Sequence, residues 1–133
     1  MKELKFNGNK LVTGPGAIDY IKNLDGQRIF VVTGKSAMFK NGTIDHIKAV
    51  FTEQGKTCEV YSGIGGNPTT GEVLSGLAAM KAFDPDTVMA VGGGSAIDAT
   101  KVMTLMCEYP ELTLEDIRGG KAPAERKKLQ FIA

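Results

Sequence analysis

The chain has 133 residues, 42% hydrophobic and 23% charged, which bounds it to one ordinary globular domain able to bury a core. A formal net charge of +1 excludes the strong fields that steer proteins to nucleic acid or anionic membrane. No apolar run is long enough to span a bilayer and no signal sequence opens the chain, so a cytoplasmic protein is expected.

Leu4–Phe6 and Lys10–Val12 read as short strands joined around Asn7-Gly8-Asn9, because Asn-Gly favours a tight hairpin turn. Gly14-Pro15-Gly16 opens a short helix with Ile18, Ile21 and Leu24 on one face, ended by Asp25-Gly26. Arg28–Thr33 follows, an uninterrupted apolar run of the kind that a strand covered on both faces carries. In the turn after it, Lys35 is either a solvated lysine or, with Ser36, a contact for a phosphate.

Thr43 reads as the cap of a second helix, with Ile44, Ile47, Val50 and Phe51 as its stripe and Gly55 as its stop. His46 is the only histidine; alone it builds neither a metal cluster nor a triad, and it reads as a surface or boundary residue. Thr57–Tyr61 is the second strand and Ser62–Gly66 a loop. The next helix starts either at Asn67-Pro68 or at the capping box Thr69-x-x-Glu72, and buries Val73, Leu74, Leu77, Ala78 and Met80. The cysteines, Cys58 and Cys107, have no metal or redox spacing and read as reduced, buried thiols.

Thr87–Val91 is a short apolar strand, Gly92-Gly93-Gly94 a turn, and Ser95 to about Met106 a helix that is apolar nearly all round. Strand, glycine turn and helix present backbone N–H groups at the positive end of a helix dipole, which suits an anion. The string is neither G-x-G-x-x-G nor a Walker A loop. It reads either as a permissive turn or as a phosphate cradle. Asp98 and Lys101 share a face, so an ion pair is one reading of them. A short capped helix from Thr113 to Asp116, a polar connection to Lys128 and a strand at Leu129–Ala133 complete the chain. The alternation of strands and helices predicts an α/β fold: a Rossmann-like parallel sheet flanked by helices, with an N-terminal β-hairpin.

Gly92-Gly93-Gly94-Ser95-x-x-Asp98-x-x-Lys101 resembles the signature of the iron-containing (group III) alcohol dehydrogenases, relatives of glycerol dehydrogenase and dehydroquinate synthase. Val31-Val32-Thr33-Gly34-Lys35, Asn67-Pro68-Thr69 and Phe131-Ile132-Ala133 resemble further elements of that family, in the same order, from about Phe6 to Ala133. The resemblance implies the dehydroquinate synthase-like N-terminal domain and a nicotinamide dinucleotide ligand. It implies Gly93, Gly94 and Ser95 at the pyrophosphate, Asn67 facing the cofactor, and Gly34, Lys35 and Ser36 at the adenosine end. It implies Asp98 in the cleft, near the nicotinamide and substrate.

NAD-preferring members resemble one another in having aspartate where Gly34 stands, so NADP(H) is expected over NAD(H). Full-length members act on a small alcohol or aldehyde. They continue into a helical domain whose aspartate and three histidines bind Fe2+ or Zn2+. This chain, a single domain over 1–133, is expected to lack that domain, to hold no metal and to be inactive or nearly so alone. It is also expected to form homo-oligomers. Two other readings stand beside this one: a stand-alone nucleotide-binding or regulatory module, and part of a glycerol dehydrogenase-like or dehydroquinate synthase-like enzyme.

Overall fold

The computed structural model describes residues 2–6, 9–13, 17–34, 37–65, 69–111, 113, 115 and 130–133. Strands β1 (Lys2–Phe6) and β2 (Asn9–Thr13) pair antiparallel, with Phe6 opposite Asn9. That is the hairpin expected from Asn7-Gly8, although those two residues lie outside the described ones.

Ala17–Asn23 forms a 3-10 helix rather than an α-helix. Ile21 is buried and the half-buried Leu24 packs against the same core, but Ile18 is 43% exposed, so the expected three-residue face loses one member. Polar ties add to this packing. Asp19 meets His46 at 2.8 Å, Gln54 donates to the Lys22 carbonyl at 2.8 Å, and Lys56 to the Leu24 carbonyl at 2.6 Å.

The main sheet is built from β3 (Arg28–Gly34), β4 (Thr57–Ile64), β5 (Thr87–Val91) and β6 (Gln130–Ile132), in the spatial order β4-β3-β5-β6. All three pairings are parallel. Helices α1 (Ala37–Lys40), α2 (Thr43–Glu53), α3 (Thr70–Phe83) and α4 (Gly94–Glu108) make the crossovers.

Side chains alternate across β3, so each face receives its own layer. Phe30 and Val32 pack with Val73, Leu77 and Met80 of α3 and with Ala99, Met103 and Met106 of α4. Ile29 and Val31 pack with Ile44, Ile47, Val50 and Phe51 of α2 and with Ile21. This double covering explains the unbroken apolar run of β3.

Several sequence expectations need correction. Thr43 is the first residue of α2, not its cap: Gly42 precedes it at φ 81°, and the Thr43 N–H donates to Asn41 Oδ1 at 3.0 Å. Ser62–Ile64 continues β4 instead of forming a loop, because a register shift opposite Thr33/Gly34 absorbs one residue. In α3, Leu74 is 44% exposed and Ala78 is exposed, whereas Gly76 is buried. A Cβ on Gly76 would stand 2.5 Å from Met103 Sδ and 3.0 Å from the Tyr61 ring, so the helix presents its smallest residue where α4 comes closest.

Thr69 caps α3 through a bond from the Glu72 N–H at 3.1 Å, which selects the capping-box start. In α4 the buried Thr100 and Thr104 hydroxyls bond back to the carbonyls four residues earlier, at 2.6 and 2.8 Å. Neither cysteine is in a disulfide among the described residues, and both are half-buried, not buried. Partial burial raises the Cys58 thiol pKa despite the nearby Lys48 charge.

Hydrogen bonds tie the amino-terminal ends of β3 and β5 together. Asp86 accepts from the Gln27 and Arg28 N–H groups at 2.9 and 3.2 Å and from the Thr87 hydroxyl at 2.9 Å. The Arg28 guanidinium closes the end of α3 by donating to the Phe83 and Asp84 carbonyls, and it stacks on the Phe83 ring at 4.4 Å.

Partial desolvation opposes Asp86 ionisation. The bonds from Gln27, Thr87 and Arg28 and the Lys56 charge outweigh it, so the pKa lies below its ordinary 3.8. A depressed carboxylate stabilises the fold above its unfolded-state pKa and loses that contribution as pH falls through the folded value. The melting temperature is therefore expected to drop as pH falls below about 4, and Asp86→Asn should reduce that drop. Melting curves of both chains between neutral pH and pH ~2 check this.

Candidate functional site

The carboxyl-terminal rim differs in kind. Crossover α2 leaves β3 toward one face of the sheet, and α4 leaves β5 toward the other. The two strands are neighbours, with Thr33 opposite Val91, so a crevice opens between their diverging connections. This is the topological switch point, where open α/β sheets place their ligands.

Gly34 forms one lip of the crevice and Gly92–Gly94 the other. Only Gly92 is required by the backbone, at φ 137°. Gly93 is extended, at φ −85° and ψ −172°, a conformation open to any residue. Gly94 is helical. A Cβ on Gly93 or Gly94 would meet no described atom within 4 Å. The fold thus does not explain why these two positions lack side chains. Their absence keeps open space over the start of α4.

That helix start is electropositive. The Ile97 N–H donates to the Gly93 carbonyl at 3.2 Å, and the N–H groups of a helix's first turn lie ahead of its carbonyl ladder. No side chain caps it and no acidic residue stands in its first turn. Ser95, half-buried, lies in that turn.

Asp98 is exposed on α4, about 6 Å along the axis from Gly94. Lys101 is exposed too, and the ion pair that was one reading of the two does not form between them. Lys35, Ser36 and Asn67 lie outside the described residues. The structure therefore brings Gly34, Gly93, Gly94 and Ser95 to one rim and puts Asp98 on the helix above it.

The Thr33 hydroxyl is fully buried and has no partner among the described residues, but by strand alternation it faces the α2 layer, away from α4. Sequence reading missed two features of the rim. One is the β4 bulge, hidden in a glycine-rich stretch that reads as loop. The other is the reach of the Glu72 carboxylate to the Gly65 N–H at 3.3 Å, where a capping box would send it back to Thr69.

The sequence pattern of the iron-containing alcohol dehydrogenases matches residues 8–133. The chain belongs to that family. It is 35% identical over 121 residues to the NADPH-dependent butanol dehydrogenase of Clostridium saccharobutylicum, covering 90% of this chain and 31% of that one. With the probable NADH-dependent butanol dehydrogenase 2 of Bacillus subtilis it shares 30% identity over 107 residues, covering 78% of this chain and 27% of that one. The structure of the iron-containing alcohol dehydrogenase from Thermococcus thioreducens superposes with a TM-score of 0.79 at 26% identity, covering 90% of this chain and 33% of that one.

The chain thus spans about a third of the length of these family members and corresponds to their N-terminal region. Among its described residues no three histidine, cysteine, aspartate or glutamate side chains stand together as metal ligands. No helix among the described residues is long and apolar enough to cross a membrane.

Proposed function

We propose that this chain is the nucleotide-binding part of a cytoplasmic alcohol or aldehyde oxidoreductase and takes a nicotinamide dinucleotide across the β3/β5 crevice. The observation that carries the reading is the unfilled space over Gly93 and Gly94 at an uncapped helix start. A pyrophosphate fits it: two negative groups meet backbone N–H groups and a positive dipole end, with no Cβ to hold them off. Ser95 supplies a further donor there. The adenosine end extends to Gly34, with Lys35 and Ser36 next in sequence and Asn67 on the cofactor side. Asp98 lies toward the nicotinamide and substrate end. When bound, the dinucleotide supplies the hydride chemistry; the chain's own residues hold and orient it. The whole protein assembles as a homo-oligomer and acts on a small alcohol or aldehyde.

NADP(H) is preferred over NAD(H). No carboxylate at Gly34 accepts the ribose 2′-hydroxyl or repels a 2′-phosphate, and Lys35 adds a charge-assisted contact. Together these shift relative affinity by about 1.5–3 kcal/mol. Among the described residues, a Cβ on Gly34 would have only the Ile64 carbonyl nearby, at 3.5 Å, an ordinary contact, so Gly34→Asp should fold normally. Calorimetric titration with both cofactors is expected to show tighter NADPH binding in the parent and tighter NADH binding in Gly34→Asp. Equal affinities that Gly34→Asp leaves unchanged would remove Gly34 from the 2′ position.

A further inference from the structure

Helix α1 is a single turn, and Asn41-Gly42 joins it to α2. The Thr43 N–H donates to Asn41 Oδ1 at 3.0 Å, so the Asn41 side chain bends forward over its own peptide as in an Asx-turn. That bend keeps the carboxamide carbon, Cγ, beside the Gly42 nitrogen. The accepted hydrogen bond also draws electron density from Cγ. On the other side of the amide, Nδ2 meets Met38 Sδ at 3.8 Å.

The junction is open to water. Asn41 is exposed, and Gly42, at φ 81°, has no side chain to crowd its nitrogen. One bond opposes attack by that nitrogen: the Gly42 N–H donates to the Phe39 carbonyl at 3.2 Å. It closes an isolated turn of helix, which opens at little cost.

We propose that Asn41-Gly42 is a site of spontaneous covalent modification by deamidation. The Gly42 nitrogen, its proton taken by solvent base, bonds to Asn41 Cγ, and the Cγ–Nδ2 bond breaks with loss of ammonia. The resulting cyclic imide is opened by water at either carbonyl, giving aspartate or isoaspartate. No oxidant or reductant takes part. Aspartate keeps an oxygen for the Thr43 N–H, now charged, at the positive end of α2. Isoaspartate does not: Cγ becomes part of the main chain, which grows by one carbon between α1 and α2, and the cap bond to Thr43 is lost. Either product removes the formal net charge of +1.

Peptide mapping of the folded chain, held at mildly alkaline pH and sampled over time, tests this. Asn23 is the internal control, because it is exposed too but precedes Leu24. The tryptic peptide 41–48 is expected to gain about 1 Da and to split into two chromatographic forms. Peptide 23–28 should change at least about tenfold more slowly, since the leucine Cβ crowds the attacking nitrogen. Gly42→Ala, whose Cβ would meet no described atom within 4 Å, should slow peptide 41–48 toward the pace of the control. The isoaspartyl form, separated by ion exchange, should melt below the parent, and Asn41→Asp should not. Equal pace of the two peptides in the parent chain would overturn the proposal whatever the variants do. An isoaspartyl form that melts with the parent would overturn the loss of the cap.

Discussion

Gly94→Val is expected to leave the fold intact and to weaken NADPH and NADH alike by at least about tenfold, the equivalent of losing one charge-assisted hydrogen bond. Folding is spared because a Cβ at Gly94 would meet no described atom within 4 Å. The position is helical, where valine costs at most about 0.5 kcal/mol relative to most residues and gains relative to glycine. Binding suffers because the branched Cβ occupies the space where an anion would approach the first N–H groups of α4. The effect should be blind to the 2′ substituent, in contrast to Gly34→Asp. Unchanged affinity in a folded Gly94→Val would mean that the start of α4 holds no ligand.

At the opposite rim, Gly26→Ala should be among the most destabilising single substitutions. Gly26 sits at φ 111°, where L-residues are strained by about 1–3 kcal/mol. A Cβ there would also stand 2.5 Å from Thr87 Oγ1 and 2.8 Å from Asp86 Oδ1, splitting the Asp86 clamp. Each clamp bond contributes about 0.5–1.5 kcal/mol, so the combined loss reaches about 3–5 kcal/mol, a large part of a domain's stability. Gly55→Ala makes the comparison: at φ 74° it meets no described atom within 4 Å and carries only the backbone strain. Thermal melts should put Gly26→Ala about 10 °C or more below the parent and Gly55→Ala much closer. Similar small drops in both would refute the clamp as a source of stability.

The strand β3 is legible as an unbroken apolar run, α2 as a stripe at helical spacing, and the strand–glycine–helix unit as a glycine string between two apolar segments. The failures have local causes. Leu74 reads as core by hydrophobicity, but α3 turns Gly76 toward α4, and close helix approach outweighs the larger side chain. Ser62–Ile64 reads as loop because glycine marks loops and bulges equally. The expected roles of the three glycines after β5 could be separated only by dihedrals and open space, since sequence shows them as one string. The Glu72–Gly65 bond spans a connection whose geometry no spacing rule gives.

The crevice assignment is tested most directly by the backbone amide NMR spectrum of the chain as NADPH is added. Shifts are predicted to concentrate at Gly92, Gly93, Gly94 and Ser95, with Gly34 and Gly65 following, while the amides of Gln27 and Arg28 at the far rim stay still. Saturable binding with shifts centred on Gln27, Arg28 and Asp86, or no shifts at Gly93 and Gly94 at millimolar NADPH, would contradict it.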